Sequence, residues 1–246
     1  MSEIDVTEVF RRAHQGLPRE APGSRGTTEL LLRLAGDLPG EPDVLDLGCG
    51  TGPAAVPLAE LTGGRVTGVD LHAGFLDDLR RRAEAAGVGD RVTALPASID
   101  DLPLPDACAD LVWAEGSAYV VGFDAALTGW RRLLRPGGVL VLTEAEWLVP
   151  DPSPGARAFW DPGYPAMRTT AGNIAAAERL GWTVRATYVL PDSDWAEYYD
   201  PLRARLEELR AAGVPDGLVD QVGEEIGVRE WHGAEYGYTG YVLRPR

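Results

Sequence analysis

VLDLGCGTGP, residues 44–53, is the stretch on which the reading of this chain turns. An apolar run ends in glycines at alternate positions, Gly48, Gly50 and Gly52, as a buried strand does when it breaks into a turn and then a helix. Glycine lacks a Cβ, so the chain can take positive φ there and a ligand can approach the backbone closely. A loop that only turns a corner gives the same pattern, so the neighbours must decide. Asp70 ends the next apolar run, 22 residues after Gly48, where a carboxylate can accept hydrogen bonds from ribose hydroxyls. The dinucleotide fingerprint GxGxxG requires glycine at position 53, and Pro53 stands there. A proline at the first helical turn and an acid at Asp46 disfavour a pyrophosphate and suit a ligand with a cationic amino-acid tail. Capping of the turn's amides is the structural alternative for Asp46.

From residue 43 onward, short apolar runs at 43–47, 65–70, 91–96, 109–114 and 139–144 alternate with helical patterns, the mark of βαβ units and a mostly parallel sheet. Phe75, Leu76, Leu79, Ala83 and Ala86 form one helical stripe closed by Gly87. Ala126, Leu127, Trp130, Leu133 and Leu134 form another, which Pro136-Gly137-Gly138 is expected to stop. Both stripes read as core. Prolines and aromatics crowd 150–165 as an irregular cap. A helix over 169–180 and a strand over 182–190 follow, then a helical insertion over 191–233 with Leu202, Leu206 and Leu209 at helical spacing, and a last strand over 234–243. In the N-terminal segment, 1–40, one helix is predicted at 27–38, capped by Ser24 or Thr27. The expectation is one domain over 1–246, with the core at 41–190 and the final strand within 234–246.

Composition narrows the function. The formal charge of −15 repels phosphate backbones and no basic patch offsets it, so nucleic acid is not an expected partner. No apolar run reaches the length of a membrane span and MSEIDVTEVFRR has no signal-peptide core, so no membrane is expected and the cytoplasm is the expected compartment. Every basic side chain apart from the histidines is Arg, which removes Schiff-base chemistry and a lysine base. Cys49 and Cys108 form no disulfide or zinc pattern. The paired acids Asp77-Asp78 and Asp100-Asp101 have no histidine at ligand spacing, and no metal is expected.

With VLDLGCGTGP at 44–53, VTGVDL at 66–71 and WRRLLRPGGVLVLTE at 130–144, the chain resembles the class I S-adenosylmethionine-dependent methyltransferases over roughly 40–190. The resemblance implies an α/β, Rossmann-like seven-stranded sheet of order 3-2-1-4-5-7-6, its last strand antiparallel and helices on both faces. By position it implies that Gly48, Cys49 and Gly50 pass under the methionine part and ribose, with Gly52 closing the turn and Asp46 beside it. Asp70 would hold the ribose, Leu71 would lie against adenine, Ser98 and Ile99 would meet the adenine edge, and Glu115 would line the methyl donor. Many relatives carry an acid where Ser98 stands, so Asp100 or a backbone carbonyl is the alternative there. WAEGSAYVVGF at 113–123 lacks the Asn-Pro-Pro-Tyr type of motif, which points to a small-molecule acceptor and places the chain beside bacterial small-molecule enzymes.

Methyl transfer to an amine or a hydroxyl, rather than to carbon, is the expected reaction, and alignment carries most of its rate. Glu115, past the end of the fourth strand, is the first candidate to orient or deprotonate the acceptor. Tyr119 could share its pocket, and His14 stands in a segment that often forms a lid in this superfamily. Glu144, Glu146 and Trp147 would add charge and an aromatic wall, and Trp160, Tyr164, Tyr198 and Tyr199 could form the acceptor lid. A non-catalytic S-adenosylmethionine-binding partner protein and an NAD(P)-dependent oxidoreductase are the alternatives. Monomer and homodimer are both open.

Overall fold

The computed structural model describes residues 4–246; Met1–Glu3, at the start of the N-terminal segment, lie outside the described residues. Seven strands form one sheet in the order β3-β2-β1-β4-β5-β7-β6. β1 (Asp43–Leu47) pairs parallel with β2 (Arg65–Asp70) and with β4 (Ala109–Glu115), β2 pairs parallel with β3 (Val92–Pro96), and β4 with β5 (Leu134–Trp147). β7 (Tyr236–Pro245) runs antiparallel between β5 and β6 (Trp182–Val189). The central strands are apolar on both faces because helices cover both. On one side α2 (Arg25–Ala35), α3 (Ala55–Thr62) and α4 (Ala73–Ala85) pack Leu31, Leu58, Leu76 and Leu79 over Val44, Val66 and Trp113. On the other, α5 (Ala118–Val121), α6 (Phe123–Trp130) and α8 (Thr170–Arg179) bring Phe123, Leu127 and Ala176 onto Leu45, Val112 and Leu142.

A third cluster caps one end of this frame. α1 (Val6–His14), α7 (Pro154–Trp160), α9 (Asp192–Ala211) and α10 (Asp216–His232) bury Val9, Leu202, Val219 and Ile226 together with Trp147, Tyr236 and Tyr238 of the sheet.

The structure corrects several local expectations. The helix after the fourth strand ends at Trp130 with a tight turn, Arg131–Leu133, and Leu134 already pairs with Ala109. Pro136-Gly137-Gly138 therefore lies inside β5, where the pairing skips from Ala109/Leu134 to Leu111/Val139, as an irregularity rather than a helix stop. The N-terminal helix is α2 rather than 27–38, and Ser24 caps it, accepting from the Thr27 amide at 3.1 Å. Thr27 instead donates its hydroxyl to Asp194 at 2.5 Å. α1 was not legible in the sequence, and α7 gives the cap a helix of its own, with Ser153 at its N-cap and Pro154 in its first turn.

Candidate active site

The β1–α3 turn is built to bring backbone close to a ligand. Gly48, Gly50 and Gly52 all have positive φ, 73°, 50° and 88°. The amides of Gly48 and Cys49 donate to the Val69 carbonyl at 2.8 and 3.0 Å, tying the turn to the end of β2. Asp70 completes the tie, accepting from the Gly50 amide at 3.0 Å and the His72 amide at 2.8 Å. A Cβ on Gly48 would lie 2.4 Å from the Ser117 Cβ, and one on Gly52 2.4 Å from Leu79, so these two glycines serve close packing. A Cβ on Gly50 would meet nothing within 4 Å and would stand in open space.

That space is a cavity of about 290 Å³ at the ends of the parallel strands, the place where open α/β sheets bind ligands. Around it stand Asp46, Gly48, Cys49 and Gly50 from the turn and Asp70, Leu71, Ser98 and Ile99 from the next two strand ends. Glu115 and Tyr119 close the β4 side. Gly52 and His14 are not among its walls. His72 and Phe75 flank Leu71, their rings edge to face at 5.2 Å. Phe75 thus departs from the core stripe assigned to it, half-buried in the cavity wall.

Asp46 is buried to 1% exposure, and its Oδ2 has no partner among the described residues. Burial, reinforced by Glu115 and Asp70, pushes its carboxyl well above the usual range, against the pull of the Ala55 amide. An unpartnered carboxyl oxygen in a cavity that also holds Asp70 and Glu20 suits a cationic ligand, whose charge would favour the ionised form, and is hostile to a pyrophosphate. The open cradle at Gly50 and the orphan oxygen of Asp46 fit the amino-acid end and sulfonium of S-adenosylmethionine.

Segment 17–24 closes this cavity from above and supplies Arg19, Glu20, Ala21 and Pro22. Arg82 of α4 straps it down through the carbonyls of Leu17 and Pro18, at 3.0 and 2.7 Å. Arg19 donates to Glu115 at 2.9 Å, both side chains 8% exposed. Glu115 also accepts from the Thr28 hydroxyl at 2.7 Å and from the Trp113 indole at 3.0 Å. Glu115 is thus the anchor of the lid, with both oxygens engaged. Glu20 keeps one buried oxygen without a partner among the described residues, and burial pushes its carboxyl up to about 7. His14 lies behind the lid, its ring against Phe10 at 3.9 Å, and burial pushes it down to about 4, so it is neutral at pH 7.

A second cavity of about 280 Å³ adjoins the first. Ala21, Pro22, Gly116 and Tyr119 belong to the walls of both. Its other walls are aromatic, with Trp160 and Tyr164 from the cap and Trp195, Tyr198 and Tyr199 from α9. Tyr238 of β7 is the floor, and Glu225 of α10 is the charged side chain in the wall. Glu225 accepts from the hydroxyls of Tyr198 and Tyr199 at 3.2 and 3.3 Å. Burial raises its carboxyl, and those two hydroxyls hold part of the rise back. The indole N–H groups of Trp160 and Trp195 are buried without acceptors among the described residues.

Glu225 escaped the sequence reading because QVGEEIGV looks like a solvated helix face. The usable signal was its place beside Val219, Val222 and Ile226, the buried stripe of α10. Glu144, Glu146 and Trp147 line neither cavity. Glu146 is buried and takes hydrogen bonds from Thr170, Asn173, Thr239 and Tyr241, a structural knot between β5, β7 and α8. Trp147 packs in the cap under Arg157. Glu144 is fully buried, and burial pushes it up to about 8. Among the described residues no group of His, Cys, Asp or Glu is placed to hold a metal ion.

Residues 44–138 match the family model described as "Methyltransferase domain". A solved S-adenosylmethionine-dependent methyltransferase from Thiobacillus denitrificans, in complex with S-adenosyl-L-homocysteine, superposes with a TM-score of 0.86 at 21% identity, covering 99% of this chain and 100% of that one. Residues 44–138 are thus similar to a methyltransferase domain, and the chain as a whole has the seven-stranded fold of that solved S-adenosylmethionine-dependent methyltransferase. Among named relatives it is 38% identical over 130 residues to the 27-O-demethylrifamycin SV methyltransferase of Amycolatopsis mediterranei, covering 52% of this chain and 47% of that protein. It is also 38% identical over 125 residues to the dimethylglycine N-methyltransferase of Parasynechococcus marenigrum, covering 50% and 45%. The matched region spans about half the length of these relatives.

Proposed function

We propose that this protein transfers the methyl group of S-adenosylmethionine to a small-molecule acceptor, an amine or a hydroxyl compound. The donor would occupy the glycine-turn cavity and the acceptor the aromatic one. The observation that carries this reading is the wall common to both cavities, at Ala21, Pro22, Gly116 and Tyr119. A reaction that needs two molecules in near contact needs such a junction.

In this reading Asp46 faces the ammonium of the donor and Asp70 its ribose hydroxyls. Gly48, Cys49 and Gly50 run beneath the chain between them, and Leu71, Ser98 and Ile99 border the adenine. When bound, the donor supplies a methyl group already activated on a positively charged sulfur. The protein's work is to align the acceptor, to exclude water and to accept a proton. Lid segment 17–24 does the second, held shut by Arg19 on Glu115 and by Arg82. Tyr119, at the junction, is placed to orient the acceptor. Glu115 and His14 act as positioning residues in this reading, one as anchor of the lid and the other behind it.

The relatives' names support a small acceptor and leave its atom open, since one acts on oxygen and another on nitrogen. The test is a panel of small amines and alcohols with radiolabelled S-adenosylmethionine, reading S-adenosylhomocysteine and labelled product. The proposal expects acceptor-dependent turnover that falls at least about tenfold in Tyr119→Ala. Donor binding without turnover on any member of a broad panel would favour the non-catalytic binding protein instead.

A further inference from the structure

The second cavity says more about its occupant than that it is small. Resting on the reading above, we propose that the acceptor is an amine, taken up as its ammonium cation between the aromatic faces of the second cavity, with Glu225 as counter-charge and proton acceptor.

Aromatic faces carry negative quadrupole density and attract cations, most strongly where water is excluded. Here Trp160, Tyr164, Trp195, Tyr198 and Tyr199 surround one space, and the charged residue in its wall is a carboxylate. Among the described residues, cationic side chains take no part in that wall. Arg229 lies 4.0 Å from the Trp195 ring centroid, but its guanidinium is committed to Asp192 and to the carbonyls of Gly233 and Tyr236. An anionic acceptor would meet Glu225 with no compensating charge. A neutral alcohol would have to lose its proton to a base far stronger than a carboxylate held by two phenols. An alkylammonium titrates near 10, so a buried carboxylate with a raised affinity for protons is a competent sink.

The step balances without a further reactant. The ammonium gives one proton to Glu225 and becomes a neutral amine. Its lone pair forms the N–C bond to the methyl group as the S–C bond breaks, and that electron pair stays on sulfur. The methylated product carries the positive charge, and Glu225 returns its proton to solvent when the product leaves. Tyr198 and Tyr199 hold the carboxylate in place through both stages. Glu225 and the two tyrosines belong to α10 and α9, so the helical insertion before the last strand is the part of the molecule that chooses the acceptor.

The test uses tetramethylammonium, which has no N–H and cannot be methylated, against tert-butanol, a neutral molecule of similar shape. Binding is followed by tryptophan fluorescence with S-adenosylhomocysteine present. The expected result is saturable tetramethylammonium binding, weakened roughly 10- to 100-fold in Glu225→Gln, weakened also in Trp160→Leu, and unchanged in Glu207→Gln, an exposed acid on α9 that controls for the chain's overall negative charge. Equal affinity for tert-butanol, no saturable cation binding, or full binding by Glu225→Gln would each overturn the proposal. Thermal melts establish that the variants fold; if Glu225→Gln does not, Trp160→Leu carries the test, and undiminished cation binding by Trp160→Leu would overturn the proposal. Donor binding is titrated separately, so a chain that binds the cation but no S-adenosylmethionine refutes the methyltransferase reading alone, and the converse refutes the amine alone.

Discussion

Gly48 and Gly50 stand two residues apart in one turn, both at positive φ, and an added methyl group meets opposite surroundings at the two. At Gly48 it strikes Ser117, whose hydroxyl is fixed on the Leu47 carbonyl at 2.6 Å, so Gly48→Ala combines a steric clash with an unfavourable backbone. The sum is about 2–5 kcal/mol of stability, a fall in Tm of roughly 4–20 °C for a chain of this size. At Gly50 the methyl group enters the cavity, so Gly50→Ala should lose only about 1–2 kcal/mol of stability yet forfeit most of its donor affinity. Thermal melts and calorimetric titration of the two variants check the contrast; equal donor binding by Gly50→Ala and wild type would move the ligand elsewhere. Asp70 carries two loads, the turn amides and, in the proposed reading, the ribose. Asp70→Ala is expected to weaken donor binding by about 1.5–3 kcal/mol, and unchanged affinity would show that another residue holds the ribose.

The lid is the element on which the site depends. Segment 17–24 has no regular structure of its own, and it is held by Arg82, by the Gly23 amide on the Asp194 carbonyl at 3.1 Å, and by the Arg19–Glu115 pair. Removing one partner of a pair this buried leaves the other charge uncompensated, so Glu115→Ala should cost about 3–5 kcal/mol and expose the segment to trypsin at Arg19 and Arg25. Limited proteolysis with and without S-adenosylhomocysteine reads this directly, and a variant no more susceptible than wild type would remove Glu115 from the latch. Legibility in the sequence follows the same division between regular elements and what connects them. Buried parallel strands write themselves as apolar runs, and Asp43–Leu47 and Arg65–Asp70 were readable to the residue. Pro136-Gly137-Gly138 misled because its residue types belong to loops, while its partners across the sheet make it an irregular strand start. α1 was hidden because only Val9, Ala13 and His14 of it are buried, too few for a clear stripe. Phe75 and Glu225 share a different obstacle: each lies on a helix face whose neighbours are core, and only the third dimension shows that the face borders a cavity.

Across the whole molecule, buried titratable groups give the fold a pH dependence with a definite sign. Glu144 and Glu20 hold their protons up to about 8 and about 7 in the folded state, because burial disfavours their charged forms. The unfolded chain loses those protons at ordinary carboxylate values, so stability falls as pH rises from about 4.5 toward 8. His14, pushed down to about 4, acts in the opposite sense only between about 4 and 6.5, where the unfolded chain binds the extra proton. Asp46 and Glu225, whose carboxyls burial also raises, act in the same sense as Glu144 and Glu20, so above pH 6.5 Tm of the ligand-free protein should decline toward pH 8. Glu144→Gln should make that decline shallower; a flat wild-type profile would contradict it. The negative charge of −15 and the acids around the first cavity favour a cationic ligand at the scale of the molecule as well as of the site. Calorimetric titration of the wild-type protein with S-adenosylmethionine, S-adenosylhomocysteine and NAD is the most direct test of the account. It predicts one saturable site for each member of the sulfonium–thioether pair and none for NAD; absence of binding by the pair, or NAD bound as tightly, would contradict it.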